Sequence, residues 1–129
     1  MKKWGALALI AIVAVSTAAV VSAQGAKPEK GIIVGTAVEL TTYAMKGGVS
    51  EENVEAMVSR SEQGFPVAII EEETGAIWIP VYRHSAPASH MQLANEHLTP
   101  LMGKMVAMQG LKYKHGDVNV IRFSLVSEY

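Results

Sequence analysis

The amino-acid sequence predicts a mainly β (α+β) domain of five strands, with one short helix after strand 1 and one before strand 4. Residues 31–45 are dense in β-branched side chains, as expected of a first strand. In residues 118–126 one face carries Ile121, Phe123 and Leu125 and the other Val120, Arg122 and Ser124, which is typical of a strand with one buried face. Cysteine is absent, so the core must hold the fold without disulfides.

The first 23 residues have the pattern of a secretory signal peptide. Lys2 and Lys3 give the positive start, and an apolar run rich in Ala, Ile, Val and Leu follows them. The run leads to Val21-Ser22-Ala23, whose small residues suit signal peptidase. Without a cysteine at this junction, a lipoprotein is excluded.

The rival interpretation of the same segment is an uncleaved membrane anchor over residues 4–21. Its length is near the lower limit for spanning a bilayer. Ser16 and Thr17 interrupt it, which favours cleavage. We therefore expect a signal peptide over 1–23, a flexible segment over 24–30 and one domain over 31–129.

Composition limits the possible functions. The 129 residues include 12 acidic and 11 basic side chains, and two of the basic ones fall in the predicted signal. This balance argues against nucleic-acid binding, which needs clustered Lys and Arg. The lack of cysteine excludes thiol catalysis and zinc or iron–sulfur sites built on cysteine.

The remaining elements follow from turn and capping signals. Ser50 is a good N-cap, and Val54, Met57 and Val58 form the apolar stripe of a short helix that Gly64 ends. Pro80 lacks an amide hydrogen and should lie at a sheet edge or bulge. The other predicted segments are strands over 65–71 and 76–83, a weak helix within 84–98 ended by Pro100, and a hairpin of 104–113 with 118–126.

Five strands with a helix before the fourth suggest an OB-like barrel. Residues 101–110, LMGKMVAMQG, resemble the L-x-G-K-x-V-x-V-x-G run of small secreted bacterial OB-fold-like proteins of unknown function. Residues 35–40 and 64–70 are similar to two further runs of that family. The resemblance covers roughly residues 31–127 and implies a fold, with no activity attached.

The chain departs from that family at four positions. Several members carry Cys and His along the end of the first strand and the first helix. This chain has Thr42, Val54, Met57 and Arg60 at the corresponding places. A metal or disulfide role in the relatives therefore does not transfer to this protein.

Trp78, Tyr82 and Arg83 are the candidate ligand-binding residues. OB-folds commonly bind ligands across strands 2 and 3, and aromatic rings there stack on flat groups. The competing interpretation is that the rings cover one end of the barrel beneath residues 84–98. The sequence favours that second interpretation without excluding the first.

A His- and Met-rich segment offers a metal site as an alternative. His84, His90, Met91 and His97 have the imidazole and thioether groups that suit copper, especially Cu(I). His90 and His97 are about 10.5 Å apart along a helix axis, too far to share one ion. Met as core filler is the ordinary interpretation.

No catalytic constellation is recognisable, because the sequence lacks a G-x-S-x-G elbow and a phosphate-binding loop. We therefore expect a non-catalytic, exported binding or accessory domain of the bacterial periplasm, without a cofactor. Its expected partner is another periplasmic protein, with no nucleic acid and no membrane after signal cleavage. The alternative is a periplasmic copper-binding protein, and a small hydrolase is a weaker third.

Overall fold

A computed structural model describes residues 27–84 and 90–129, the side chains of residues 90–92 excepted. The predicted signal peptide lies outside the described residues, as do residues 24–26 of the 24–30 segment. The described elements are β1 (Glu29–Glu39), α1 (Leu40–Lys46), α2 (Glu51–Glu62), β2 (Val67–Glu71), β3 (Ile77–Tyr82), α3 (His90–Leu98), a 3-10 turn (Thr99–Leu101), β4 (Met105–His115) and β5 (Val118–Glu128).

The five strands close into one mixed barrel in the order β1-β2-β3-β5-β4, with β4 returning to β1. The β3–β5 pair is parallel, and the other pairs are antiparallel. The first strand is long enough to pair with two neighbours, β4 along its first part and β2 along its second. The predicted five-stranded, mainly β architecture is confirmed.

The first strand was predicted to continue to residue 45, which is wrong: β1 ends at Glu39, and an additional helix occupies Leu40–Lys46 before the predicted one. The Glu39 carboxylate accepts the backbone N–H groups of Thr41 and Thr42, at 3.2 and 2.7 Å. Gly47, in the left-handed conformation, closes the other end. The capped ends outweigh the β preference of the two threonines.

The second helix begins where the capping signal places it. Ser50 Oγ accepts the N–H of Asn53 at 3.3 Å, and Glu51 and Glu52 occupy the first turn. The β2–β3 ladder extends no further than Trp78, so Pro80 lies beyond it and pairs with β5 instead. The capping expectation is confirmed, whereas β3 is not an edge strand: it lies between β2 and β5 in the closed barrel, and Pro80 is paired on its β5 side.

The barrel interior is filled by apolar side chains from all five strands and closed by side chains of the helices. Fully buried members include Ile33, Val38, Met57, Ile69, Trp78, Leu98, Met108, Ile121 and Phe123. Met57 and Met108 thus act as core filler.

In β5 the predicted alternation of buried and exposed residues shifts by one position at Ser124. Gln109 faces Leu125 and Gly110 faces Phe123, so Ser124 is an extra residue at this bulge. Leu125, expected inside with Ile121 and Phe123, is 66% exposed, while Val126 packs against the core. Of the described helices, none is both long and apolar enough to span a membrane.

Candidate functional site: a cationic groove on the outer barrel surface

Trp78, one of the three candidate ligand-binding residues, is 2% exposed and belongs to the core. Even-numbered residues of β3 point into the barrel, and the aliphatic face carrying Ile77 points outward. The indole N–H donates to Glu71 Oε1 at 3.2 Å, and the Lys112 ammonium lies 5.1 Å from the ring centroid. Trp78 is therefore a buried core residue and presents no exposed ring on which a ligand could stack.

The Glu71 carboxylate is the negatively charged partner of several groups around Trp78. Its pKa lies below the ordinary value, first because the Thr74 hydroxyl donates to it at 2.7 Å, and also because of the Trp78 indole and the charges of Lys112 and Lys114. The polar contacts of Trp78 are thus made within the protein.

Tyr82, also on the inner face of β3, is half-buried in an aromatic cluster. Its ring stacks on His97 with centroids 4.4 Å apart and meets Phe123 and His84 edge-on at 5.4 and 5.6 Å. The interpretation that this ring lies under the 84–98 segment fits these contacts, since His97 is on α3.

Arg83 is exposed and helps to line a groove of about 650 Å³ on the outer surface of β1, β4 and β5. Two further cations line it, Lys30 from β1 and Arg122 from β5. The other lining residues are Gly31, Ile32, Gln109, Gly110, Leu111 and Ser124. Of the three predicted ligand-binding residues, Arg83 alone is in this lining.

The groove has an apolar strip between its charges. Ile32 is 60% exposed and Leu111 is half-buried. Beside them Gly110 packs so closely that a Cβ atom there would lie 2.2 Å from the Arg122 carbonyl oxygen. The strands can approach this closely only because Gly110 has no side chain.

Arg122 is held in place by a backbone contact. Its Nη2 donates to the carbonyl oxygen of Arg83 at 3.1 Å. This hydrogen bond links β5 to the residue after β3 and orients the guanidinium before any ligand arrives. The remaining N–H groups of an arginine suit carboxylate and phosphate.

Sequence reasoning missed Lys30, Ile32 and Arg122. Lys30 was assigned to the flexible 24–30 segment but is in β1. The alternation of β5 did place Arg122 on the solvent face. That these residues converge depends on the strand order, which the sequence alone does not reveal.

The proposed metal ligands are only partly described. His84 and His97 are exposed and both contact the Tyr82 ring. The side chains of His90 and Met91 lie outside the described residues. Within the described ranges, no group of three or more His, Cys, Asp or Glu side chains could hold a metal ion.

Three of the positions at which the chain departs from the resembling family lie in the region where α1 and α2 meet. Arg60 Nη1 donates to Thr42 Oγ1 at 2.9 Å, and Thr42 is buried. Met57 is also fully buried. A polar contact and a thioether therefore occupy this region, where they join the two helices to the barrel.

A second cavity of about 350 Å³ lies between the end of α2 and α3. Asn95 Nδ2 donates there to the carbonyl oxygens of Ser61 and Phe65, at 2.9 and 2.8 Å. These contacts hold the two helices together, so we assign the region a structural role.

Comparison of the chain with models of protein families, with curated proteins and with solved structures gives no match.

Proposed function

We propose that this chain is a non-catalytic, exported binding domain of OB-like type that serves as an accessory protein or subunit of a larger periplasmic assembly. The observation that carries the proposal is the groove over β1, β4 and β5, in which three cations surround an apolar strip. A volume of about 650 Å³ is in the range of known ligand sites. Such a lining provides charge and hydrogen-bond donors for a partner.

The OB-like assignment is supported by the strand order, the parallel β3–β5 pair and the helix between β3 and β4. The resemblance to secreted OB-fold-like proteins stays a prediction. Export rests on the pattern of residues 1–23 and is checked by the mass of the chain isolated from its host.

A photo-cross-linker at Gln109 tests the binding proposal, since this exposed residue lines the groove. The matched control is the same group at Glu55, exposed on α2 outside the groove. We expect one defined adduct from position 109 in the native host, lost when Arg83→Ala and Arg122→Ala are added. Equal adducts from both positions, or an adduct that survives both changes, would overturn the proposal.

Periplasmic copper binding is the second candidate, and one observation favours it. His84 and His97, from different elements, both contact the Tyr82 ring. Titration of the native chain with Cu(I) tests it. A copper site here predicts stoichiometric binding that His97→Ala removes and that His115→Ala, an exposed change at the end of β4, leaves intact.

A further inference from the structure

We infer that the groove binds an extended, acidic peptide segment of the partner, in which carboxylates alternate with aliphatic side chains. The inference rests on the proposed binding function and names the chemistry of the bound segment. It depends on three features of the groove: the spacing of its cations, the lack of neutralising carboxylates and the apolar strip between the charges.

Two of the cations lie in one row across the outer surface, perpendicular to the strands. Lys30 is opposite Leu111, and Leu111 is opposite Arg122, so the two cations are two strands apart. Adjacent strands are about 4.8 Å apart, which puts their backbones about 10 Å from each other. A row of this length has room for more than one anionic group.

Arg83 lies past β5 and away from this row. The β3 residue opposite Arg122 is Val81, and Arg83 is two residues further, about 7 Å along the strand. From Lys30 to Arg83 the groove therefore spans about 16 Å across three strand spacings, the length of about five extended residues. An extended occupant with several negative groups fits this spacing.

The positive charges of the groove are available to such an occupant. None of the 12 acidic residues of the chain lines the groove. Among the described residues the one ion pair joins Lys104 to Glu128, at 3.8 Å. A positive groove on a chain with an acidic balance is therefore complementary to an anionic partner.

The apolar strip distinguishes a peptide from other extended anions. Ile32 and Leu111 lie among the cations and would contact aliphatic side chains. Single-stranded nucleic acids bind through stacking on aromatic rings, and no aromatic side chain is among the described residues that line the groove. Successive side chains of an extended peptide can supply both carboxylate and aliphatic contacts.

The probe is a blocked five-residue peptide that alternates glutamate and leucine, with a glutamine–leucine peptide of the same length as its control. Binding is followed by NMR on the ¹⁵N-labelled chain at low ionic strength. We expect shifts confined to amides around the groove, at least about ten-fold weaker binding of the glutamine peptide, and loss of binding in high salt.

Variants locate the contact. Lys30→Ala, Arg83→Ala and Arg122→Ala should each weaken binding about two- to five-fold, the range for exposed charge pairs. Lys114→Ala, an exposed lysine change on β4 outside the groove, should have no effect. The side chains of Lys30, Arg83 and Arg122 are exposed, so the three variants should keep the fold. A thermal melting curve of each variant checks this.

Equal binding of the two peptides would overturn the inference, as would tighter binding of a thymidine or uronate oligomer of similar length. The inference fails, and the proposed function stands, if the Gln109 cross-link forms and is lost in the Arg83→Ala and Arg122→Ala variants while the glutamate peptide does not bind. If no groove-dependent cross-link forms in the host, the proposed function fails, whatever the peptide does.

Discussion

The indole N–H of Trp78 donates to Oε1 of Glu71 across the β2–β3 hairpin, over 3.2 Å. The same oxygen accepts the hydroxyl of Thr74 in the intervening turn. One carboxylate thus joins the core tryptophan to the turn that connects its two strands. The charge state of Glu71 should therefore affect the stability of this end of the barrel.

The first prediction is that stability falls as the pH drops through the range in which Glu71 becomes protonated. Its pKa in the folded chain is below the ordinary value, chiefly because of the Thr74 hydroxyl. The charged form therefore stabilises the fold above the ordinary pKa of about 4.3, and this contribution is lost as pH falls below it.

Urea denaturation at pH 7 and pH 3.5, followed by Trp78 fluorescence, measures this loss. Glu71→Gln should show a smaller difference between the two pH values than the native chain. Glu73→Gln, an exposed change in the same turn, is the control and should keep the native difference. Identical pH dependence in all three chains would contradict the assignment.

The second prediction concerns the buried cap at Glu39. Its carboxylate is fully buried and accepts the N–H groups of Thr41 and Thr42 as well as the Thr41 hydroxyl. Glu39→Ala should therefore lower the free energy of unfolding by about 1–2 kcal/mol. Ser50→Ala removes a cap at an exposed position and should cost less. Equal losses on denaturant titration would count against the special role of burial here.

Glu39 and Glu71 illustrate which contacts could not be predicted from the sequence. The succession of the five strands along the chain was predictable from turns, caps and alternation, because those are local signals. The break between β1 and α1 was not, because Thr41 and Thr42 favour strands and the deciding contact is a side chain buried by the barrel. The phase change at Ser124 depends in the same way on the facing strand, through the bulge at Gly110.

The candidate site was less predictable than the fold. Arg83 was identified, but it was grouped with Trp78 and Tyr82, whose rings point inward. Lys30 and Arg122 are far apart along the chain and come to lie on either side of β4 only when the barrel closes. Because the residues that line the groove come from several strands, they do not form a recognisable motif in the sequence.

The third prediction tests the close approach of β4 and β5. Gly110→Ala would place a Cβ atom 2.2 Å from the Arg122 carbonyl oxygen and 2.6 Å from the Phe123 Cα. Backbone must move to relieve these contacts, so the change should cost about 1–3 kcal/mol. Gly31→Ala is the control, because its added atom would meet the flexible Lys112 side chain, at 2.9 Å. A Gly110 variant as stable as the Gly31 variant in thermal melts would refute the packing argument.

The last prediction compares Trp78 on β3, which should affect stability, with Arg83 just after β3, which should affect binding. Trp78 is a core residue, whereas Arg83 lines the groove with an exposed side chain. Trp78→Phe removes the indole donor to Glu71 and part of the core volume. It should lower the free energy of unfolding by about 1–3 kcal/mol and leave peptide binding unchanged.

Arg83→Ala should do the reverse. Its side chain can be removed without losing the backbone carbonyl that holds Arg122, so stability should change by less than about 0.5 kcal/mol while binding weakens. Circular dichroism must follow unfolding, because the Trp78 variant lacks the reporting fluorophore. If Trp78→Phe abolished binding in a chain that remained folded, the ligand would contact the barrel interior, and the outer groove would be the wrong site.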